Sequence, residues 1–482
     1  MDWSWRGLGG QLRLCKPSHP SLCPLCATLC LLAIAHAAQA NSTKHALPPR
    51  MKDQPFQVYW NIPTAKFSTL QLEEFGIVTN EREEFIGENI TIFYVGQLGK
   101  YPHYNNGQPV DGGFPQNASL KGHTEKMKID VQKYLSRNFK GLAVIDWEEW
   151  RPLYQRNWGK KNIYREKSQE LVQVKHPDWS PTQIREQAQK EFDKAARNFM
   201  RQTLMLGQAL RPQALWGFYL FPDCYNYHYG SQFAEFSGLC PAIEIKRNNQ
   251  LRWLWSQSDA LYPSVYLEES LKSSERGKLY ARWRIHEAMR LSLVGDSEHA
   301  LPVYVYSRSN YMVTQTLRGL TRLDLIHTIG QSAAMGARGV ILWGGIDFSR
   351  TKANYQEVRN YVKSILGPYV RNVTTAVHLC SRFLCFKHGL CYRKHPEQDV
   401  YLHLNKKTYH LVTQRKGKAS STYFKGHLSS RDKRQMRAHF KCQCYKGWKG
   451  IQCNHYKKSL ACREEHPLFS SALLLLIIYF LC

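Results

Sequence analysis

Asp146 and Glu148 stand two residues apart at the end of an apolar run, in the stretch Gly141-Leu142-Ala143-Val144-Ile145-Asp146-Trp147-Glu148-Glu149-Trp150-Arg151-Pro152. Two carboxyls this close cannot ionise independently. Mutual repulsion and partial desolvation by Trp150 and its aromatic neighbours push one pKa up, leaving a protonated acid beside an anion. Glycoside hydrolysis needs that pairing. An arbitrary Asp-x-Glu is more often a solvated acidic loop, but the apolar lead-in, the flanking indoles and Arg151 point away from that reading. The run is too short for a helix and is bounded by Gly and Pro, so it predicts a strand covered on both faces, with the acids at its carboxyl end. On a strand, positions i and i+2 share a face, which puts Asp146 and Glu148 roughly 6.5–7 Å apart at the backbone with Trp147 pointing away. Glu149 alternates to the other face and is left out of the site.

The elements that must position these acids are legible as a pattern. Short apolar runs recur at Phe56–Ile62, Ile90–Val95, Leu142–Trp147, Leu215–Phe221, Leu261–Leu267, Val303–Tyr306 and Val340–Trp343, separated by charged segments of helical period. In Ser180–Gln208, apolar residues Ile184, Ala188, Phe192, Ala195 and Phe199 fall at three-to-four spacing, with Ser180 as N-cap and Pro181 at the first helical position. Strands alternating with helices pair in parallel, and closing such a sheet gives a TIM-like barrel whose site lies at the carboxyl ends of the strands. Asp146, Tyr219, Tyr266 and Trp343 all fall near such ends.

Several of these segments carry a resemblance. The Gly141–Pro152 stretch resembles the active-site signature of the vertebrate and venom hyaluronidases, endo-acting hydrolases of hyaluronan. The likeness continues through Thr91-Ile92-Phe93-Tyr94, Gly113-Phe114-Pro115-Gln116-Asn117, Leu215–Cys224, Ala260–Tyr266 and Gly339–Gly344, over roughly residues 53–455. Within that family the membrane-anchored members are the most similar. The resemblance implies a distorted barrel of about seven parallel strands in an α/β fold. It also implies that Glu148 is the acid/base, that Asp146 holds the substrate acetamide, and that Tyr219 and Tyr266 orient and polarise it. The nucleophile is then the acetamido oxygen of the substrate, the substrate-assisted exception to the two-carboxylate scheme. No cofactor is implied. For an acidic sugar polymer, stacking faces and hydroxyls come from Tyr94, Tyr219, Tyr266 and Trp343, and the cations answering each carboxylate from Arg151 and Arg284. Hyaluronan is the expected substrate, with chondroitin a second candidate. A cell-surface hyaluronan-binding receptor on the same fold, with little turnover, is the alternative class.

Composition agrees with a polyanionic partner. The chain has 66 Lys and Arg against 38 Asp and Glu, a formal net charge of +28, which favours nucleic acid, an anionic membrane or an acidic polysaccharide. Compartment chooses among them. Residues 1–40 read as a secretory signal, with Arg6, Arg13 and Lys16 ahead of an apolar segment and Ala38-Gln39-Ala40 as a cleavage site. Export makes nucleic acid an unsuitable partner and allows N-glycosylation at Asn41, Asn89, Asn117 and Asn372. No His-Glu-x-x-His, Walker-type loop or other metal or phosphate motif stands out.

Beyond a catalytic barrel at 41–371, residues 372–455 turn to Cys, His, Lys and Arg. Their C-x4-C-x5-C and C-x-C-x8-C spacings resemble an EGF-like module with a basic insertion, which in an exported chain would need bridges in place of a core. Six cysteines allow fifteen connectivities. Family likeness implies Cys380–Cys391, Cys385–Cys442 and Cys444–Cys453, and a further bridge, Cys224–Cys240, after the Tyr219 strand. Most members of the family it resembles also carry a bridged cysteine pair where this chain has Phe67 and Tyr355. Residues 456–482 end in an apolar stretch of about fifteen residues behind a polar spacer, short of the roughly 20 needed to span a bilayer, and resemble a GPI attachment signal. Attachment at Ser459 or Ala461 would remove Cys462, otherwise an odd thiol. The expected location is the cell surface, tied to the outer leaflet by a lipid anchor, with a secreted or lysosomal form as the alternative.

Overall fold

A computed structural model describes residues 44–456 apart from 231–234, 296, 313, 315, 417 and 418. The expected signal segment, Asn41, Cys462 and the apolar tail lie outside the described residues. The architecture is α/β with parallel sheets. Among the described residues nine strands precede residue 344: β1 Gln57–Asn61, β2 Ile77–Thr79, β3 Ile90–Phe93, the antiparallel hairpin β4 His103–Asn105 and β5 Gln108–Val110, β6 Leu142–Ile145, β7 Leu215–Phe218, β8 Tyr304–Ser307 and β9 Gly339–Trp343. One sheet runs β2-β1-β9-β8 and the other β3-β6-β7, every pair parallel.

Two junctions link these sheets. On one side Asn80 Nδ2 donates to the Ile90 carbonyl at 2.8 Å and Asn89 Nδ2 to the Thr79 carbonyl at 2.9 Å, so side chains replace the ladder between β2 and β3. On the other, isolated parallel bridges Tyr219↔Tyr262, Leu261↔Val303 and Ser264↔Tyr306 carry the connection from β7 to β8. Residues 261–267, expected as a full strand, contribute only those bridges. Pro263 interrupts them with no N–H to give to a ladder. β2, by contrast, is a strand the sequence pattern missed. Its three residues are too few to show a period.

Alternation along the strands explains why they read as continuous apolar runs. Tyr59, Ile92, Val144, Tyr262, Tyr306 and Ile341 form an interior cluster, while Val58, Trp60, Ala143, Ile145, Trp216, Val305 and Leu342 join the larger core that packs on the helices. Both faces are therefore dry. The longest helix, Pro181–Leu210, opens with the capping box of Ser180 and Gln183 and buries Ile184, Ala188, Phe192, Ala196, Phe199 and Leu204. Its stripe passes through Ala196 rather than Ala195. Gly217 in β7 marks a close approach, since a Cβ there would collide with the Ala260 carbonyl.

Among the described residues four disulfides join Cys224 to Cys240, Cys380 to Cys391, Cys385 to Cys442 and Cys444 to Cys453. The C-terminal segment is not the coreless module its cysteines suggested. The helix Gly367–Leu384 runs straight through the expected boundary at 371/372, and Val373, Ala376, Val377, Cys380, Cys385, Cys391, Met436 and Phe440 all belong to the main core. Strands β10 Gly389–Arg393 and β13 Phe440–Cys444 pair antiparallel, and between them lie the hairpin β11 Tyr409–Lys416 and β12 Ala419–Gly426 and the helix Ser430–His439. The basic insertion thus includes a hairpin and a helix.

Asn372 departs from its expected role as a glycan acceptor. It is buried in the middle of the helix Gly367–Leu384, its Oδ1 accepting the Leu404 N–H at 3.1 Å, and a bulky polar glycan has no room there. Asn89 is half-buried with its amide on Thr79, whereas Asn117 is exposed.

Candidate active site

Strand register brings the site together. Phe93, Ile145 and Phe218 are direct partners across β3, β6 and β7, so the residues that follow them, Tyr94, Asp146 and Tyr219, emerge side by side at the carboxyl ends. The ladder extends one step past the strands: Asp146 N–H donates to the Phe93 carbonyl and Tyr219 N–H to the Ile145 carbonyl, both at 2.9 Å. From the other sheet Trp343 closes β9 opposite Asn61. Its Nε1 donates to the Tyr94 hydroxyl at 2.7 Å, tying the two sheets together over the interior cluster.

Asp146 is the most perturbed acid here. Burial, then repulsion from Glu148, raises its pKa to about 7, with Arg151 opposing. Its Oδ1 is buried with no hydrogen-bond partner, an exposed need for a donor that a substrate N–H or O–H would meet. Glu148 has a different environment. The strand ends at Ile145, so Glu148 sits in irregular chain beyond it, its side chain 49% exposed, with Arg151 Nη2 3.5 Å from Oε1. Arg151 Nη1 also donates to the Glu148 carbonyl at 2.9 Å, and Lys161 reaches the same oxygen. Arg151 therefore holds Glu148 in place. Trp147 does turn away, into a nest where it stacks on Tyr101 at 4.6 Å and meets Phe199 and Phe218.

Aromatic rings form the opposite wall. Tyr266 stacks on Trp343 at 6.0 Å and 14°, and Phe85 on the same indole at 6.4 Å and 21°. Tyr219 meets Tyr266 at 6.3 Å and Tyr306 edge-on at 4.9 Å, and its hydroxyl lies 3.5 Å from Ser264 Oγ. Burial raises the pKa of Tyr94, Tyr219 and Tyr266, so all three remain neutral hydroxyl donors at working pH.

Arg284, expected to answer a substrate carboxylate, is not available to one. It is 2% exposed, Nη2 lies 2.6 Å from Asp223 Oδ1, Nε donates to the Ser264 carbonyl at 2.6 Å, and its plane faces the rings of Tyr227 and Tyr280 at 4.9 and 5.0 Å. It braces the loop behind the Tyr219 strand, the loop held by Cys224–Cys240.

Among the described residues a cation that is available is Arg308, which the sequence reading missed. Its guanidinium lies 5.1 Å from the Trp343 ring and 5.9 Å from Tyr266, half-buried, and its one side-chain hydrogen bond among the described residues is to Asn310 Oδ1 at 3.4 Å. Asp347, the carboxylate acting on it, is ion-paired to Arg350 instead. A signal existed: Arg308 directly follows the apolar strand β8, as Asp146 directly follows β6.

A family model described as hyaluronidase matches residues 45–457. Hyaluronidase-2 of Bos taurus is 43% identical over 444 residues, covering 90% of this chain and 93% of its own, and hyaluronidase-2 of Homo sapiens is 43% identical over 433 residues, covering 88% and 91%. Among solved structures, bee venom hyaluronidase in complex with a hyaluronic acid tetramer aligns with a TM-score of 0.59 at 33% identity, over 65% of this chain and 98% of that one.

Proposed function

Because the chain belongs to the hyaluronidase family of glycoside hydrolases, we propose that it is an endo-acting hydrolase of hyaluronan. It cuts the β-1,4 bond between N-acetylhexosamine and glucuronate, with chondroitin as a second substrate. The observation that carries this reading is Asp146: a carboxyl raised to about 7 with an unpartnered buried oxygen, beside the half-exposed Glu148 and a wall of neutral tyrosines.

In the proposed mechanism Glu148 gives a proton to the glycosidic oxygen while the substrate acetamido oxygen attacks the anomeric carbon from the opposite face. The C–O bond to the leaving sugar breaks and a cyclic oxazolinium forms. Asp146 accepts the acetamide N–H, which favours its anionic form as charge develops on the ring. Tyr219 and Tyr266 fix the acetamide, and Tyr94 and Trp343 present the stacking surface. Glu148, now a carboxylate, takes a proton from water, whose oxygen opens the oxazolinium with net retention. Arg151 positions Glu148, and Arg308 answers the uronate carboxylate.

We extend the reading to the rest of the chain. The two linked sheets support a distorted parallel barrel, Cys380–Cys453 an EGF-like cysteine framework fused to it, and the terminal sequences an exported protein with a GPI anchor and a glycan at Asn117. Release of the protein from expressing cells by phosphatidylinositol-specific phospholipase C tests the anchor. Digestion of hyaluronan at several pH values, scored by new N-acetylglucosamine reducing ends, tests the activity. Tight binding with no new ends would establish the receptor class instead.

A further inference from the structure

Half of the net charge of +28 lies in residues 372–456, which carry 17 Lys and Arg against 3 Asp and Glu. The three acids are already engaged. Asp432 caps its helix through Ser429 and meets Asn405 Nδ2 at 3.0 Å, Asp399 pairs with Lys278 and Arg282, and Glu397 faces His395 at 3.6 Å.

The cations, in contrast, gather on one strip. Lys433 and Arg437 are four apart on the helix Ser430–His439 and both lie over the Phe383 ring, at 5.7 and 4.8 Å. Arg434 is exposed beside them. Lys394, just past β10, takes the His439 carbonyl with its N–H at 2.9 Å and the Arg437 carbonyl with Nζ at 2.8 Å. Lys441, opposite Tyr392 in the β10–β13 ladder, sits 5.0 Å from that ring. Among the described residues none of these five has a carboxylate within ion-pair distance. Surfaces ordinarily intersperse acids with bases, and a strip of one sign repels itself unless an opposite charge lies on it.

We propose that Lys394, Lys433, Arg437 and Lys441 form a second binding surface, outside the catalytic cleft, for a long carboxylated or sulfated glycan. This rests on the reading of the cleft as a site for a polyanionic polysaccharide, whose chain must run on past the point of cleavage. Phe383 and Tyr392 lie beneath the charges, as a floor for hydrated sugar rings. A membrane-surface site would instead project apolar side chains beyond its cations.

The test compares the full-length protein with a variant combining Lys394→Gln, Lys433→Gln, Arg437→Gln and Lys441→Gln. The probes are high-molecular-mass hyaluronan, a short hyaluronan oligosaccharide and vesicles containing phosphatidylserine. All four side chains are exposed, so thermal melting should be unchanged. Affinity for the long polymer at low salt should fall tenfold or more and its salt dependence should become shallower, because fewer counterions are released. Turnover of the short oligosaccharide should not change. Unchanged polymer affinity and salt slope would overturn the proposal, as would loss of vesicle binding with polymer affinity kept. Loss of polymer binding in the variant of a protein that cleaves nothing would retire the hydrolase reading and leave the strip standing.

Discussion

Arg284 Nη2 lies 2.6 Å from Asp223 Oδ1, with the two side chains 2% and 5% exposed. A buried pair of this kind is dangerous to break, because removing one partner strands the other charge away from water at a cost of about 3–5 kcal/mol. Arg284→Ala should therefore lower the urea midpoint sharply and reduce turnover alike on hyaluronan and on carboxyl-reduced hyaluronan, in which glucuronate has become glucose. Arg308→Ala should do the reverse. It loses a half-exposed cation–π contact of about 0.5–1 kcal/mol, so stability barely moves, while KM rises on hyaluronan and stays level on the carboxyl-reduced polymer. Equal KM effects on both polymers would remove Arg308 from the carboxylate-reading role.

Glu148→Gln keeps the shape of the side chain and its contact with Arg151 but has no proton to give. General acid catalysis contributes about 100- to 10,000-fold, and kcat should fall within that range while binding of hyaluronan persists. Near wild-type turnover in the variant would mean that another group protonates the leaving oxygen.

The contrast between Arg284 and Arg308 also shows where sequence reading stops. A buried strand announces itself by apolar continuity, so Leu142–Ile145 and the acids past its end were legible. So were the rings Tyr94, Tyr219, Tyr266 and Trp343 at the ends of their own runs. Whether a cation faces the cleft or an internal carboxylate depends on partners distant in sequence. Arg284 is 61 residues from Asp223, and Arg308 is 35 from the indole it covers. Nor does cysteine spacing say whether the segment it staples has a core of its own. Here the helix Gly367–Leu384 supplies one shared with the sheets.

Asp146 should make stability pH-dependent in a direction opposite to that of an ordinary salt-bridged acid. Its folded pKa, about 7, lies above the unfolded value of about 3.9, so the folded state binds the proton more tightly. The resulting stability is fully present below about pH 4 and is lost as pH rises through 7, up to about 4 kcal/mol for three units. Asp146→Asn removes the charge and with it this loss. Urea unfolding at pH 5 and pH 8 should show the variant gaining on the wild type as pH rises. Asp193 and Asp259, both raised to about 6 by burial, titrate in both proteins and cancel in the comparison. A wild type more stable than the variant at pH 8 would contradict the raised pKa.

The family resemblance implies a cysteine pair at the positions of Phe67 and Tyr355, and in this chain their rings meet at 5.7 Å and 49°. Tyr355 is buried and its hydroxyl reaches both Ser68 Oγ and the Thr69 carbonyl, so the contact joins the segment after β1 to the helix Lys352–Tyr361 without a covalent link. An aromatic pair of this kind contributes about 0.5–1.5 kcal/mol beyond its buried area. A bridge closing so long a loop is worth about 5 kcal/mol in the chain-entropy model, less any strain. The double variant Phe67→Cys with Tyr355→Cys should therefore form a disulfide, found as a linked peptide without reduction, and melt above the wild type when oxidised. Reduced, the same variant lacks both rings and the Tyr355 hydrogen bonds and should melt below the wild type. Two free thiols under oxidising conditions would show that the two positions do not approach closely enough to bridge.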